Sequence, residues 1–176
     1  MNKLGECEQE SAFDSQDHPC AGADFIDWSS GLYIYQAKGI KSLIKGLEFN
    51  LNYSYHNFNF VYDFSLVRGD NLTDNLPLSY MNPDKQILIV EYQKKLMHYK
   101  FRLAKMHSQN RIGKFEEYTP SSLLVDFIIG YNKKNQNITI QVNNILNEES
   151  YNHLSKIKSI MPEPGRNVVF SYKIFF

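Results

Sequence analysis

The side chains best suited to acid–base, nucleophilic or metal chemistry are five histidines (His18, His56, His98, His107, His153) and two cysteines (Cys7, Cys20). Their spacing composes no reactive centre. The histidines fall singly on turns, strands and loops of the pattern described below. Cys7 and Cys20 lie in a polar N-terminal stretch and could pair in an oxidising compartment, but even with His18 nearby they match no metal-binding spacing. Glycine-rich phosphate cradles, nucleophile elbows, HExxH and calcium-loop patterns do not occur. Asp126 is the most conspicuous carboxylate, set opposite an apolar strand face, where a hydrogen-bonding role fits better than that of a general base. No enzyme and no cofactor is therefore expected. Lys plus Arg equals Asp plus Glu at 19 each, which gives no reason to expect nucleic acid as a partner.

The elements that must carry these residues are strands. Twelve Tyr and twelve Phe stand against one Trp, a bias that favours sheet over helix. No run of about eighteen apolar residues occurs, so a membrane helix is not expected. MNKLGECEQESAF has neither a basic start nor an apolar core, so no secretory leader is read there. Residues 1–23 lack periodicity and are expected to be irregular. Alternation starts near Phe25, with Tyr33, Ile34 and Tyr35 in a short strand. From Gly46, Leu47, Phe49, Leu51, Tyr53 and Tyr55 alternate with Glu48, Asn50, Asn52, Ser54 and His56. A turn at His56-Asn57 leads into Phe58, Phe60, Tyr62, Phe64 and Leu66, a hairpin with one apolar side. Further strands are expected at Ile87–Gln93, Met97–Leu103, Leu123–Tyr131 and Ile138–Val142, with turns at Lys94-Lys95 and across 132–137.

The last stretch, RNVVFSYKIFF, places Val168, Phe170, Tyr172, Ile174 and Phe176 on one face of an extended chain. A hydrophobic strand running to the terminus is unusual in water, where ends fray, but suits a membrane barrel, whose last strand must close the sheet. The edge strand of a soluble sandwich is the alternative. Two regularities favour the barrel. Long segments (68–85, 108–121, 144–165) alternate with brief turns, which places every long loop at one end of an up-and-down sheet. Several strands reach ten residues, enough to cross hydrocarbon when tilted, where soluble strands average about five or six. Tyr55, Tyr92, Tyr99, Tyr131 and Tyr172 sit near strand ends, as an aromatic girdle would, although Tyr also suits strands generally. The opposite face, rich in Asn, Ser, Gln and Thr, reads equally as a barrel lumen or a solvent face.

The ordered motifs from Phe25 to Phe176 resemble the C-terminal part of a TonB-dependent outer-membrane receptor. Asn143, Asn144, Ile145, Leu146, Asn147 and Tyr151 match the Asn-rich pattern that follows the family's penultimate strand. Pro164, Gly165, Arg166 and Asn167 match the turn before its last strand, in which Phe170, Tyr172, Ile174 and Phe176 form the terminal signal for barrel assembly. TPSSLLVDFIIGY carries Asp126 at the family's Asp position. LPLSYMNPDKQILIVEY carries Pro77 and Pro83, and IKGLEFNLNYSY carries Gly46 and Glu48.

The resemblance implies an all-β, antiparallel, up-and-down transmembrane segment of about eight strands over residues 24–176, with short periplasmic turns and long extracellular loops. Plugged transporters close at about 22 strands, so this segment is expected to be part of a larger barrel. It also implies contact with outer-membrane lipid and the barrel-assembly machinery. Uptake of an iron chelate or similar bulky nutrient would follow, with TonB engaged only through a plug domain that this chain lacks. A truncated C-terminal remnant, not transport-competent alone, is the expectation. In that setting Tyr80, Arg111, Tyr118, Tyr151 and His153 are the loop candidates for ligand contact through stacking and charge. The alternative is a small self-contained barrel, in the outer membrane or lipocalin-like.

Overall fold

The computed structural model describes residues 25–27, 32–34, 39–114 and 116–175. The stretch expected to be irregular over 1–23, with Cys7, His18 and Cys20, lies outside the described residues, as do Tyr35 and Phe176. Two short strands, β1 (Phe25–Asp27) and β2 (Leu32–Ile34), pair antiparallel with each other. All other strands form one antiparallel sheet. Its members are β3 (Ser42–Tyr55), β4 (Phe58–Asn71), β5 (Leu76–Pro77), β6 (Lys85–Lys94), β7 (Met97–Met106), β8 (Ser122–Lys133), β9 (Gln136–Asn143) and β10 (Asn167–Ile174). The order is β10-β9-β8-β7-β6-β4-β3, with β5 pairing only the end of β4. Each long strand lies beside its sequence neighbour, the meander of an up-and-down barrel wall. The sheet is open, with β3 and β10 as its edges.

Three two-residue turns, His56-Asn57, Lys95-Leu96 and Lys134-Asn135, join the strands at one end. His56 and Lys95 take φ of 53°, the left-handed start that matches the twist of a tight hairpin. The connections at the other end are long: 72–84, 107–121 and 144–166. Two turns differ from expectation. Lys94 belongs to β6, and apolar Leu96 takes the turn position expected for Lys94 or Lys95. The turn expected over 132–137 tightens to two residues, because Asn132, Lys133, Gln136 and Asn137 keep pairing above the apolar band. The loop expected from Arg68 begins at 72, since Arg68–Asn71, without apolar alternation, continues β4 against Ser42–Lys45.

Residues directly opposite in an antiparallel pair share a face, so the register turns sequence alternation into rows across the sheet. One row runs Tyr53, Phe60, Val90, Phe101, Phe127, Val142, Val168; the next runs Tyr55, Phe58, Tyr92, Tyr99, Ile129, Ile140, Phe170. Nearer the turns, Met97, Tyr131, Ile138 and Tyr172 continue the face. The rings of Phe58 and Tyr92 lie 4.6 Å apart and those of Tyr92 and Tyr99 6.1 Å, an aromatic band at the short-turn end. Gly46 lets β3 approach β4, since a β-carbon there would lie 2.7 Å from the Leu66 carbonyl oxygen.

The other face is polar and internally bonded. Ser54 donates to Asn59 (2.9 Å), Asn59 to Glu91 (3.4 Å), and Lys100 meets Glu91 at 3.1 Å, in one row across four strands. Arg102 donates to Asp126 at 2.7 Å in the next row. Gly130 leaves room for the imidazole of His98, which a β-carbon would overlap.

The apolar face has no cover. Among the described residues Ala104 is the one buried hydrophobic side chain, while Phe49 is 51% and Phe170 68% exposed. In water such a surface is an aggregation site. The chain is therefore expected to sediment as aggregate from detergent-free buffer. Replacing Phe49, Phe101 and Phe170 together with Ser should raise the soluble fraction, as read by centrifugation. A wild-type monomer that stays dissolved and melts cooperatively would contradict this account.

Candidate functional site

The three long loops meet on one carboxylate. Glu116, 3% exposed in the β7–β8 loop, accepts the backbone N–H of Tyr80 from the β4–β6 loop at 2.7 Å. It also accepts the N–H of Gly113 from its own loop at 2.8 Å. Its Oε1 lies 2.6 Å from Nε2 of His153 in the β9–β10 loop. That last contact is well inside ion-pair range, although bent from the line of a good hydrogen bond. The sequence gives no sign of Glu116, which sits in an aperiodic stretch. The nearest clue is its place between the bridged pair Gln109 and Thr119, whose backbones bond both ways at 2.9 and 3.2 Å.

Behind Glu116 the polar groups form a directed chain. Lys158 Nζ, a donor only, gives hydrogen bonds to Thr119 Oγ1 (2.8 Å) and to the Glu117 carbonyl. Nζ also lies 3.3 Å from His153 Nδ1, and Thr119 Oγ1 lies 2.7 Å from the same nitrogen. With an ammonium facing it, Nδ1 must accept, so the ring proton belongs on Nε2, toward Glu116. Burial depresses the pKa of His153; the Glu116 charge opposes this and the Lys158 charge adds to it. Burial also depresses Lys158, against the pull of Glu116 and Glu117. The cluster is a clasp: buried ionisable groups from two loops, closed over a carboxylate that also holds the third.

The motif residues form a second device, at the root of the β9–β10 loop. Asp126 bridges Arg102 and the N–H of Asn144 (2.9 Å), and Ile145 N–H donates to the Val125 carbonyl. Asn144, 3% exposed with φ of 50°, bonds Glu148 through both ends of its amide, at 2.8 and 2.9 Å. Asn147, φ 54°, accepts from the N–H of Arg166 at 3.0 Å, and Arg166 Nη1 reaches the Ile145 carbonyl at 3.4 Å. Gly165 sits against Asn147, and Asn143 bonds Asn167 across β9 and β10. Asn tolerates the left-handed region and supplies the caps, so these residue types build a clamp that starts and ends the loop. Glu48 lies on the polar face of β3 opposite Ser65, Pro77 lies in β5, and Pro83 is buried before β6.

The loop candidates scatter around the clasp. Tyr80, half-exposed with φ of 58°, is a bulky residue in the left-handed region, held there by its bond to Glu116 and faced by Lys156 Nζ at 5.7 Å from the ring. Tyr118 is exposed. Tyr151 donates to Glu149. Arg111 pairs with Asp70 and lines an open recess with Asn71, Leu76 and Asn110, apart from the clasp. His153 is buried within the clasp. Among the described residues no three His, Cys, Asp or Glu side chains converge as a metal site would need.

A His held below its ordinary pKa contributes stability that is complete above about pH 6.5 and lost as pH falls through the folded-state value, because the opened loop takes the proton first. Exchange protection at the amides of Tyr80 and Gly113, corrected for intrinsic rates, should fall between about pH 7.5 and 5. His153→Gln should abolish that dependence. Glu116→Ala, which removes the main countercharge to the buried Lys158 ammonium and leaves the N–H groups of Tyr80 and Gly113 without their acceptor, should cost the loops about 3–5 kcal/mol in local stability by native-state exchange. Unchanged protection in both variants would contradict the clasp.

No protein-family model matches the sequence, and no curated protein matches it closely enough to count as a relative. Among solved structures the chain is similar to the copper transporter OprC, with a TM-score of 0.73 and 19% sequence identity over 80% of this chain and 25% of that one. The chain thus spans about a quarter of that protein's length. The likeness shows the fold: an antiparallel wall of the outer-membrane, transporter-type β-barrel.

Proposed function

We propose that this chain is the C-terminal wall of a TonB-dependent outer-membrane receptor that takes up an iron chelate or similar bulky nutrient. The observation that carries the reading is the pairing of a bare apolar face with three long loops gathered at one end on Glu116. Lipid would wet the apolar face, and the polar rows from Ser54 to Lys100 would line the lumen. The clasped loops would form part of an extracellular vestibule, offering Tyr80 and Tyr118 for stacking and Arg111 for charge. β10, with Phe170, Tyr172 and Ile174, and the sequence's Phe176 would serve as the signal read by the barrel-assembly machinery. TonB would act through a plug domain, and the chain would serve a transporter, not an enzyme.

Support comes from the fold shared with a transporter and from the motif residues, which meet in the clamp at Asp126, Asn144, Asn147 and Arg166. A self-contained eight-strand barrel is less favoured, because β3 and β10 are not paired with each other.

The DNA directly upstream of the coding segment tests the reading. Plug and barrel sequence, in frame or frameshifted, is expected there. A joined protein should then take thiol label from outside intact cells at Tyr118→Cys and Leu154→Cys, while Lys95→Cys and Asn135→Cys should label only after the membrane is opened. Upstream DNA without barrel-coding sequence, or equal labelling at both ends, would contradict the proposal.

A further inference from the structure

Charge is distributed unevenly between the two ends of the sheet. The long connections, 72–84, 107–121 and 144–166, hold seven Asp or Glu against five Lys or Arg. The short-turn end is the reverse. Residues 53–60, 92–99 and 129–140 hold four lysines and no carboxylate side chain, in a chain whose formal charge is zero. Those lysines come as two pairs on neighbouring hairpins, Lys94-Lys95 at the β6–β7 turn and Lys133-Lys134 at the β8–β9 turn. All four are exposed, and among the described residues none of them meets a carboxylate. The nearest carboxylate in sequence, Glu91, lies on the other face and is taken by Lys100 and Asn59.

Register fixes the face on which the lysines stand. Lys94 lies opposite Met97, and Met97 opposite Tyr131, so Lys94 belongs to the apolar face, two residues beyond Tyr92. Lys133, opposite Gln136, stands two residues beyond Tyr131 on the same face. Both therefore follow directly on the aromatic band, with Lys95 and Lys134 at the turn tips beside them. Backbone bonds lock the turns into one rim: the N–H of Asn132 donates to the Leu96 carbonyl at 2.7 Å, and that of Phe175 to the Asn135 carbonyl at 3.0 Å. β6 and β8 are two strand spacings, about 10 Å, apart. That matches the screening length of about 10 Å at 0.1 M salt, so the charges act on an anion together. At the long-loop end of the same face, Lys45 and Arg68 are balanced by Asp70 and Asp84, and Arg68 donates to Asp84 at 2.5 and 2.7 Å.

The placement selects the partner. A soluble acidic protein would meet the turn tips end-on, whereas Lys94 and Lys133 stand on the side of the wall, just past its tyrosines. A lysine there lays its apolar stem along the band and lifts its ammonium to the level of lipid phosphate.

We propose that Lys94, Lys95, Lys133 and Lys134 form a binding rim for the headgroups of anionic phospholipids, of the phosphatidylglycerol class, in the leaflet at the short-turn end. The inference rests on the membrane-barrel reading and deepens it, because that reading puts lipid around the apolar face without any preference among headgroups. The rim supplies the preference and confines it to one end of the wall.

The test reads lipid preference at each end of the face. Trp28→Phe removes the native indole, and a single Trp is placed at Met97, near Lys94, or at Leu66, near Arg68. Each chain is refolded into vesicles of phosphatidylcholine and phosphatidylglycerol, with bromine on the acyl chains of one lipid or the other. Both leaflets share one composition, so the direction of insertion does not matter. At 97, brominated phosphatidylglycerol should quench as though enriched about fivefold, the worth of one lysine at an anionic surface. At 66 the two lipids should quench equally. The preference at 97 should vanish when Lys94→Gln, Lys95→Gln, Lys133→Gln and Lys134→Gln are combined, and persist when all four become Arg. It should also collapse for the native lysines in about 1 M salt, where the screening length falls to about 3 Å.

Equal quenching by the two lipids at 97 overturns the proposal, leaves the membrane reading standing and turns the lysines over to an acidic soluble partner. A preference as large at 66, or one that survives the Gln variant or the salt, also overturns it. The native lysines and their salt response decide the matter even where the Gln variant fails to insert. If neither brominated lipid quenches the indole at 97, lipid does not cover the face and both readings fall.

Discussion

Hydrocarbon offers nothing for a peptide group to bond to, and on the proposed membrane reading that single refusal organises this chain. A strand in lipid is stable only when both neighbours are strands, so the sequence proceeds as a meander in which each long strand pairs with the one before it. The connections at one end are kept to two residues, with His56 and Lys95 in the left-handed region in two of the three hairpins. The same refusal also separates the faces. Lipid tails need no polar partner, so Phe, Leu and Val line one side, while Asn, Glu, Lys and Asp bond one another along rows on the other.

Beyond the membrane the currency changes from apolar contact to buried charge. The loops have almost no hydrophobic core of their own; their order comes from Glu116, His153, Lys158 and Thr119. Such a cluster ties segments far apart in sequence to one point without adding to the apolar surface. By contrast the Arg111–Asp70 pair, partly open to solvent on both sides, is worth about 0–1 kcal/mol.

Alternation made most of the sheet legible, because every second residue of a strand shares one face and that face is apolar here. Leu47 to Tyr55 and Phe58 to Leu66 announce β3 and β4 for that reason. The pattern fails beyond the apolar band: Arg68–Asn71 and Lys133 keep pairing in register but are polar or glycine, so alternation alone ends these strands too early. Loop architecture was almost wholly hidden. His153 was visible as a candidate, yet nothing in the sequence links it to a glutamate 37 positions earlier or to Lys158, since no period relates them. The Asn144, Asn147 and Arg166 pattern was visible as a resemblance; its physical sense, two left-handed asparagines capping a loop, needed coordinates.

The account stands or falls on what touches the apolar side. Trp28→Phe removes the native indole, and a single Trp is then placed at Phe101 on the apolar face or at Ile128 on the opposite one, one strand over. In bilayers whose acyl chains carry bromine, the indole at 101 should be strongly quenched by the lipid and barely touched by aqueous acrylamide, with the reverse at 128. An indole at 101 shielded from both quenchers would mean that protein, not lipid, covers that face, and would contradict the central claim.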